Sequence, residues 1–331
     1  MIHQNQHIMV ITGEPSGDLH AAELVRQIKN IMPSVYVSGI GGSNLQKQGA
    51  DLFFDIKHLS AMGLTEVLKQ FGSIRQAFNS VKKQIRLKPP DLIILVDYPG
   101  FNLRVAKYVK EQSEIPIMYY IAPKVWAWNK SRIEKIKSFT DHVALILPFE
   151  QKLYDRLNIS ATYVGNPLID EYPVHLTRLF QTRNEEKNKD IIIGLLPGSR
   201  KAELNRLLSV MIETAELLYQ INNSIRFVIS KADSIDLKLI EQQISLAVHP
   251  DIFAVEKNGV RKVFQISDML IAASGTVTLE AALACVPTIL IYKMSPVTYR
   301  LARLLVDLEF VGLANLIANN EVMPERLQDE A

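Results

Sequence analysis

The stretches IIIGLLPGSR (191–200) and MLIAASGTVTLEAAL (269–283) decide how the second half of this chain folds. In each, a short apolar run leads into a turn with glycine and serine, and a helical pattern follows. The pattern predicts two strand-turn-helix units whose free backbone N–H groups point toward an open crevice. Arg200 on the first turn can hold a phosphate, and Glu280 in the second helix can meet ribose hydroxyls. The pair therefore indicates a nucleotide-sugar site, although one such turn alone is common in any α/β protein.

Apolar runs alternate with amphipathic segments along the whole chain, which predicts an α/β fold with two parallel sheets flanked by helices. Each sheet would belong to a Rossmann-like, doubly wound domain, and the two domains would face a cleft. We predict a first domain over 1–168, a hinge over 169–189 with prolines and dense charge, and a second domain over 190–331. The predicted strands are 8–12, 36–40, 92–96, 115–121, 142–147 and 161–165 in the first domain, and 191–196, 225–230, 252–255, 269–273 and 288–292 in the second.

Composition narrows the class of protein. The 331 residues carry a net charge of only +2, so no overall field favours nucleic acid as a partner. The single cysteine, Cys285, excludes a disulfide framework, fits a reducing compartment and is expected to pack in a core. Neither a signal peptide nor a spanning apolar run is evident, which predicts a cytoplasmic protein whose membrane contact, if any, is peripheral.

Two further strand ends carry candidate chemistry in the first domain. GEPSGD (13–18) follows the first strand and offers Glu14, Ser16 and Asp18 to the cleft; Ser16 or Asp18 could instead simply cap the next helix. Asp97 ends the strand LIILV, where a half-buried carboxylate can act as a general base toward a hydroxyl. The alternative is that Asp97 only begins the turn that follows it.

Two other segments predict contacts with an amphiphilic ligand or surface. The segment APKVWAWNKSR (122–132) combines Lys124 and Trp126 in a pattern suited to a sugar or phosphate, or to aromatic packing between domains. A helix over 63–78 has an apolar stripe followed by basic residues, which is typical of a membrane contact; packing on its own sheet is the alternative. The candidate membrane residues are Leu64, Val67, Leu68, Phe71 and Ile74.

Ordered motifs from end to end resemble the lipid-A-disaccharide synthase family. They are GEPSGD (13–18), GIGG (39–42), LSAMGLTEVL (59–68), VDYPGFN (96–102), YIAPKVWAW (120–128), LPFE (147–150), VGNP (164–167), LLPGSR (195–200), ASGTVTLEAAL (273–283), YKMSPVTY (292–299) and ANL (314–316). The resemblance implies a glycosyltransferase-B fold at the inner face of the cytoplasmic membrane, bound peripherally to an anionic surface. It also implies that UDP-2,3-diacylglucosamine is joined to 2,3-diacylglucosamine 1-phosphate (lipid X), with release of UDP and inversion at the anomeric carbon.

The resemblance also implies roles for individual residues. Asp97 matches the family's proposed base. The donor would be held by residues of the two turns and two further positions: Gly198, Ser199, Arg200, Ser274, Gly275, Thr276, Glu280 and Asn315. Because no Asp-x-Asp pair occurs, neither a metal nor another cofactor is expected. The sequence departs from the family at Gly100, where a second acidic residue is usual, and at Pro15, and it is expected to lack the usual C-terminal helices. A UDP-sugar 2-epimerase and a non-catalytic nucleotide-sugar or lipid-surface module remain alternatives, and the oligomeric state is open.

Overall fold

The computed structural model describes residues 6–59, 66–123, 130–172, 190–232, 234–293 and 309–328. The chain divides into two compact units, residues 1–167 and 168–331. Both units alternate strands with helices, and every strand pair is parallel.

The described part of the first unit has one sheet with strand order β3-β2-β1-β4-β5-β6-β7. Its strands are β1 (His7–Ile11), β2 (Tyr36–Gly41), β3 (Asp51–Asp55), β4 (Leu92–Val96), β5 (Ile117–Tyr120), β6 (His142–Leu145) and β7 (Ala161–Tyr163). Its helices are α1 (Pro15–Ile31), α2 (Ser43–Lys47), α3 (Glu66–Leu87), α4 (Pro99–Gln112), α5 (Lys130–Phe139) and α6 (Pro148–Arg156).

The described part of the second unit has a sheet with strand order β10-β9-β8-β11-β12-β13. Its strands are β8 (Ile191–Leu196), β9 (Ile225–Ser230), β10 (Phe253–Glu256), β11 (Met269–Ala273), β12 (Thr288–Tyr292) and β13 (Glu325–Leu327). Its helices are α7 (Leu168–Glu171), α8 (Lys201–Ile221), α9 (Leu237–Ile244), α10 (Val260–Ile266), α11 (Thr276–Leu283) and α12 (Leu313–Ala318).

The central strands are apolar on both faces because helices cover both sides of each sheet. In β1, Met9 and Ile11 join one core cluster while Ile8 and Val10 join another, which is the alternation expected of a strand. In β11, the residues divide between two clusters in the same way. This double burial explains why these strands are continuous apolar runs in the sequence.

The strand order places the predicted turns together. In each sheet the chain moves outward in one direction and then returns to the other side of its first strand, so β1 pairs with β4 and β8 pairs with β11. Such a switch point leaves a crevice at the carboxyl ends of the two central strands, where ligands of doubly wound sheets bind. GEPSGD and Asp97 flank the first crevice, and the two glycine-serine turns flank the second.

Three sequence expectations are corrected by the fold. The edge strands β3 and β13 were not predicted, because their mixed or charged sequences DLFFD and ERL lack an apolar run. Of the predicted hinge, only the first residues are described: they belong to α7 and the buried Tyr172 within the second unit, whereas 173–189 lie outside the described residues. Cys285 is exposed rather than buried, because it follows the C-cap of α11 with a left-handed φ of +54°, which directs its side chain away from the core.

Candidate functional site

The turn between β8 and α8 depends on a glycine. Gly198 has a φ of +100°, and a Cβ at this position would lie 2.5 Å from Glu203 Oε2. The left-handed backbone and the close approach both favour glycine. Glu203 lies in the first turn of α8 and accepts a hydrogen bond from Arg200 Nη1 at 3.0 Å. The Glu203 carboxylate, in the first turn of α8, therefore stabilises the turn that precedes this helix.

Arg200 is placed to meet an anion. It is the N-cap residue of α8, and its side chain is 81% exposed. Its pair with Glu203 is a surface ion pair, which contributes about 0–1 kcal/mol, so a phosphate can replace it at small cost. Tyr292, at the end of β12, lies near Arg200 and Glu203. Burial is the largest cause that raises the pKa of Tyr292, and Glu203 raises it further, whereas Arg200 and Arg206 lower it. Sequence reasoning missed Glu203, Arg206 and Tyr292.

The turn between β11 and α11 offers open backbone. Gly275 is the N-cap residue, no described atom lies within 4 Å of a Cβ built on it, and Thr276 after it is exposed. Ser274 Oγ donates to the carbonyl of Val311 at 3.4 Å, which ties the turn to a later loop. Among the described residues, no side chain caps the first N–H groups of α8 or α11. Two helix N-termini at one switch point form a suitable site for a diphosphate.

Glu280 is oriented by a tyrosine from the start of the second unit. Tyr172 Oη donates to Glu280 Oε2 at 2.9 Å, and the Tyr172 ring lies beneath the guanidinium of Arg261 at 5.0 Å. Burial and the neighbouring Glu280 raise the pKa of Tyr172, so its hydroxyl remains a donor at neutral pH. The carboxylate is therefore fixed rather than loosely solvated, which suits recognition of hydroxyl groups.

In the first unit, β4 ends in a strained turn. Asp97 and Tyr98 have φ values of +48° and +46°, two left-handed residues in succession without glycine. Such a conformation costs about 1–2 kcal/mol per residue and is typical of functional sites. Tyr98 is the N-cap residue of α4, and no side chain in the described part of the chain caps that helix. The turn places the half-buried Asp97 at the switch point of the first sheet.

Two fully buried side chains hold this turn. Tyr119 Oη and Asn102 Nδ2 both donate to the Asp97 carbonyl, each at 2.7 Å. Asn102 Nδ2 also lies 3.1 Å from the Val96 carbonyl, so one amide holds two consecutive carbonyls. Both side chains are 0% exposed, and burial raises the pKa of Tyr119 well above its usual range. Sequence reasoning missed this brace, because Tyr119 lies 22 residues from Asp97.

The GEPSGD turn lies against the strained turn. A Cβ on Gly13 would lie 2.1 Å from Cδ1 of Tyr98, so the tyrosine ring packs directly on the glycine backbone. Glu14 and Ser16 are exposed. Burial raises the pKa of Tyr98, and the negative charge of Glu14 raises it further. Glu14 and Tyr98 therefore share the crevice edge beside Asp97.

Comparison with known proteins identifies the family of this chain. The family model for lipid-A-disaccharide synthetase matches residues 8–331. The chain belongs to the lipid-A-disaccharide synthetase family. It is 38% identical over 329 residues to a lipid-A-disaccharide synthase of Coxiella burnetii, covering 99% of this chain and 86% of that protein. It is 39% identical over 327 residues to the enzyme of that name from Trichlorobacter lovleyi, covering 98% and 85%. The family is one of glycosyltransferases of lipid A biosynthesis.

Solved structures agree on the fold. UDP-GlcNAc 2-epimerase from Neisseria meningitidis, determined with UDP-GlcNAc bound, has a TM-score of 0.60 and covers 95% of this chain and 90% of its own, at 12% identity. Acinetobacter baumannii MurG has a TM-score of 0.54 and covers 98% and 87%, at 14% identity. The fold of this lipid-A-disaccharide synthetase family member is therefore the glycosyltransferase-B fold, with two doubly wound α/β domains.

Asn315 does not have the place expected of a donor ligand. Its side chain is 0% exposed, and Nδ2 donates to the Met323 carbonyl and to Glu325 Oε1 at 2.7 and 2.8 Å. Its Oδ1 accepts from the N–H groups of Val322 and Met323 at 2.9 and 2.8 Å. All four bonding positions of the amide are thus used within the protein. Glu325 also accepts from the N–H groups of residues 311 and 312, so Asn315 organises the loop to which Ser274 is tied.

Asp18 is also a structural residue rather than a cleft ligand. It is 2% exposed, and its carboxylate accepts from the N–H groups of Gly42, Asn44 and Leu45 at 2.6, 3.0 and 3.3 Å. These groups begin α2, so Asp18 caps that helix and not α1, which already begins at Pro15. Asp18 therefore joins the GEPSGD motif to GIGG.

The predicted membrane helix is partly corrected. It extends to Leu87, and Ile74 packs against the core together with Phe78, on the face that also carries the buried Ala77, Val81 and Ile85. Ile74 is therefore a core residue and not a lipid contact. Leu64 lies outside the described residues, as do the side chains of Val67, Leu68 and Phe71 and the residues Lys124 and Trp126. None of the described helices is long and apolar enough to cross a membrane.

Proposed function

We propose that this chain joins UDP-2,3-diacylglucosamine to the 6-hydroxyl of 2,3-diacylglucosamine 1-phosphate, giving the β-1′,6-linked disaccharide 1-phosphate and UDP. The observation that carries the proposal is the strained Asp97–Tyr98 turn, in a member of the lipid-A-disaccharide synthetase family. Backbone strain that buried hydrogen bonds maintain is expected where a reacting group needs a fixed position.

The second unit would bind the donor. The N–H groups that begin α8 and α11 and the guanidinium of Arg200 would contact the diphosphate, with Gly198, Ser199, Ser274, Gly275 and Thr276 providing the backbone of the two turns. Glu280, held by Tyr172, would accept hydrogen bonds from the ribose. The related fold of an epimerase with UDP-GlcNAc bound supports a UDP-sugar as the donor.

Inversion at the anomeric carbon requires one base and a stabilised leaving group. Asp97 would take the proton of the acceptor 6-hydroxyl as its oxygen forms a bond to the anomeric carbon. The bond from that carbon to the diphosphate oxygen breaks, and its electron pair leaves with UDP. Arg200 and the two helix N-termini would stabilise the charge that develops on the leaving diphosphate. The carboxylate is regenerated when it releases its proton to water.

Both substrates carry acyl chains, which favours a peripheral site on the inner face of the cytoplasmic membrane with anionic lipid. The proposed contact is Leu64 together with Val67, Leu68 and Phe71 at the start of α3. Replacing Leu68 and Phe71 by Ser should abolish sedimentation with phosphatidylglycerol vesicles and leave UDP binding intact. Unfolding of that variant would instead place these residues in the core, as Ile74 is.

The decisive test measures UDP release in detergent with and without the acceptor, for the unchanged chain and for Asp97→Asn. Asparagine keeps the shape of the side chain but cannot accept the proton at neutral pH. We expect acceptor-dependent release that falls at least about a hundredfold in the variant, with UDP affinity unchanged. Release without acceptor, together with epimerisation of the donor sugar, would favour an epimerase. UDP binding without turnover would favour a binding module.

A further inference from the structure

A groove between α4 and α5 begins beside the Asp97 turn. It has a volume of about 310 Å³, equivalent to about ten water molecules. Pro99 and Gly100, the first two residues of α4, line one end, so the groove starts two residues after Asp97. The remaining lining residues are Leu103, Arg104, Lys107, Arg132, Lys135 and Phe139.

The charge in this groove has one sign. Arg104 and Lys107 are three residues apart on α4, and Arg132 and Lys135 are three residues apart on α5, so each helix presents two cations on one face. No acidic side chain of the described residues lines the groove. Of these four cations, only Lys107 forms an ion pair within the described part of the chain. Its partner is Glu111, at 3.7 Å, and both side chains are more than half exposed. An exposed pair of this kind neutralises little of the charge.

The walls also include apolar surface. Leu103 is 6% exposed and belongs to the core of the first unit, and Phe139 packs against that core. The N-terminus of α4, which no described side chain caps, adds a positive dipole end at the side next to Asp97. An occupant of this groove therefore needs a compact anion for the four cations and an uncharged part that tolerates apolar contact.

We propose that this groove binds the phosphate monoester of the acceptor and so orients the acceptor sugar toward Asp97. This inference rests on the proposed function, because it names the part of the acceptor that the first unit recognises. In a glucosamine 1-phosphate, C1 and C5 both adjoin the ring oxygen, so the phosphate and the 6-hydroxyl lie within one ring width of each other. From Pro99 to Arg104, α4 rises about 8 Å, which is the scale of that ring and its substituents. Guanidinium groups match phosphate oxygens in pairs, and lysine adds charge.

The test uses the double variant Arg104→Gln with Lys135→Gln. Arg104 and Lys135 are exposed, so we expect an unchanged melting temperature. The matched control is Lys47→Gln with Lys152→Gln, which removes the same charge from exposed positions of the same unit. Calorimetry in detergent micelles measures the affinity of each protein for diacylglucosamine 1-phosphate and for the same lipid without its phosphate. UDP release measured against acceptor concentration gives the acceptor KM and kcat.

We expect the unchanged chain and the control to prefer the phosphorylated lipid by at least about tenfold, and the groove variant to lose that preference. The acceptor KM of the groove variant should rise by the same factor while kcat and the donor KM stay constant.

A preserved preference for the phosphate would overturn the groove assignment even if transfer is observed. A preference that depends on the groove, without any transfer, would retain the groove and overturn the proposed function. A further arm measures sedimentation with phosphatidylglycerol vesicles. If the groove variant loses this binding but keeps the phosphate preference, the groove binds lipid headgroups and the proposal is wrong.

Discussion

Removal of the buried Tyr119 hydroxyl should show whether this group positions the base Asp97 or only stabilises the fold. In Tyr119→Phe, the Asp97 carbonyl loses a hydrogen bond of 2.7 Å and keeps the one from Asn102. The two left-handed residues cost about 2–4 kcal/mol together at the usual 1–2 kcal/mol per residue. Each of the two hydrogen bonds contributes about 1 kcal/mol net, so the brace offsets a substantial part of that strain. We expect the free energy of unfolding to fall by about 1–2 kcal/mol.

The effect on catalysis should exceed the effect on binding. Partial relaxation of the turn would displace the Asp97 carboxylate by a fraction of an ångström to 1 Å, and misplacement on this scale lowers kcat by about tenfold to a hundredfold. The KM for the donor should not change, because the donor turns belong to the second unit. Urea unfolding gives the stability, and UDP release at saturating acceptor gives kcat.

Tyr154→Phe is the matched control for this experiment. Tyr154 is also 0% exposed in the core of the first unit, but its hydroxyl has no hydrogen-bond partner among the described residues. Loss of an unpaired buried hydroxyl should leave stability unchanged or slightly higher, and kcat unaltered. Equal changes of stability and kcat in the two variants would refute the brace, as would a Tyr119→Phe protein with full kcat.

Three further changes test the second unit. Arg200→Ala should weaken UDP affinity by about 1.5–3 kcal/mol in calorimetry without lowering the melting temperature, while Lys238→Gln, another exposed cation, should change neither. Asn315→Ala should lower the free energy of unfolding by about 2–4 kcal/mol, because it leaves buried groups unpaired; unaltered stability with lost UDP affinity would return Asn315 to the donor site. Burial alone would raise the pKa of Glu216, but hydrogen bonds from His249 lower it overall, so the stability it contributes is present above pH 4.5 and lost as pH falls through the lowered value. Glu216→Gln should therefore flatten the acid side of a plot of stability against pH, and an unchanged acid slope would contradict this assignment.

The strands that are buried on both faces can be predicted from the sequence alone. A central strand of a parallel sheet is buried on both faces and is therefore predominantly apolar, so the apolar runs of β1, β4, β8, β11 and β12 can be recognised in the sequence. The edge strands β3 and β13 face less core and carry charged residues, so no local pattern distinguished them. The turns after the central strands could also be predicted, because a glycine or an aspartate directly after an apolar run is a local signal of a turn.

The contacts of the polar side chains in these turns depend on the tertiary structure and could not be predicted from local sequence. Asp18 and Asn315 belong to motifs that looked like ligand sites, yet backbone groups and the Glu325 carboxylate saturate Asn315, and backbone N–H groups occupy the carboxylate of Asp18. Conversely, Tyr119 and Asn102 had no functional signal in the sequence and hold the strained Asp97 turn. The periodicity of apolar residues indicates only which side of one helix or strand is buried. A hydrogen bond between distant residues depends on which elements the fold places side by side. The order in which strands are added to the sheet brings β1 beside β4 and β8 beside β11, and that order alone places the turns at their crevices.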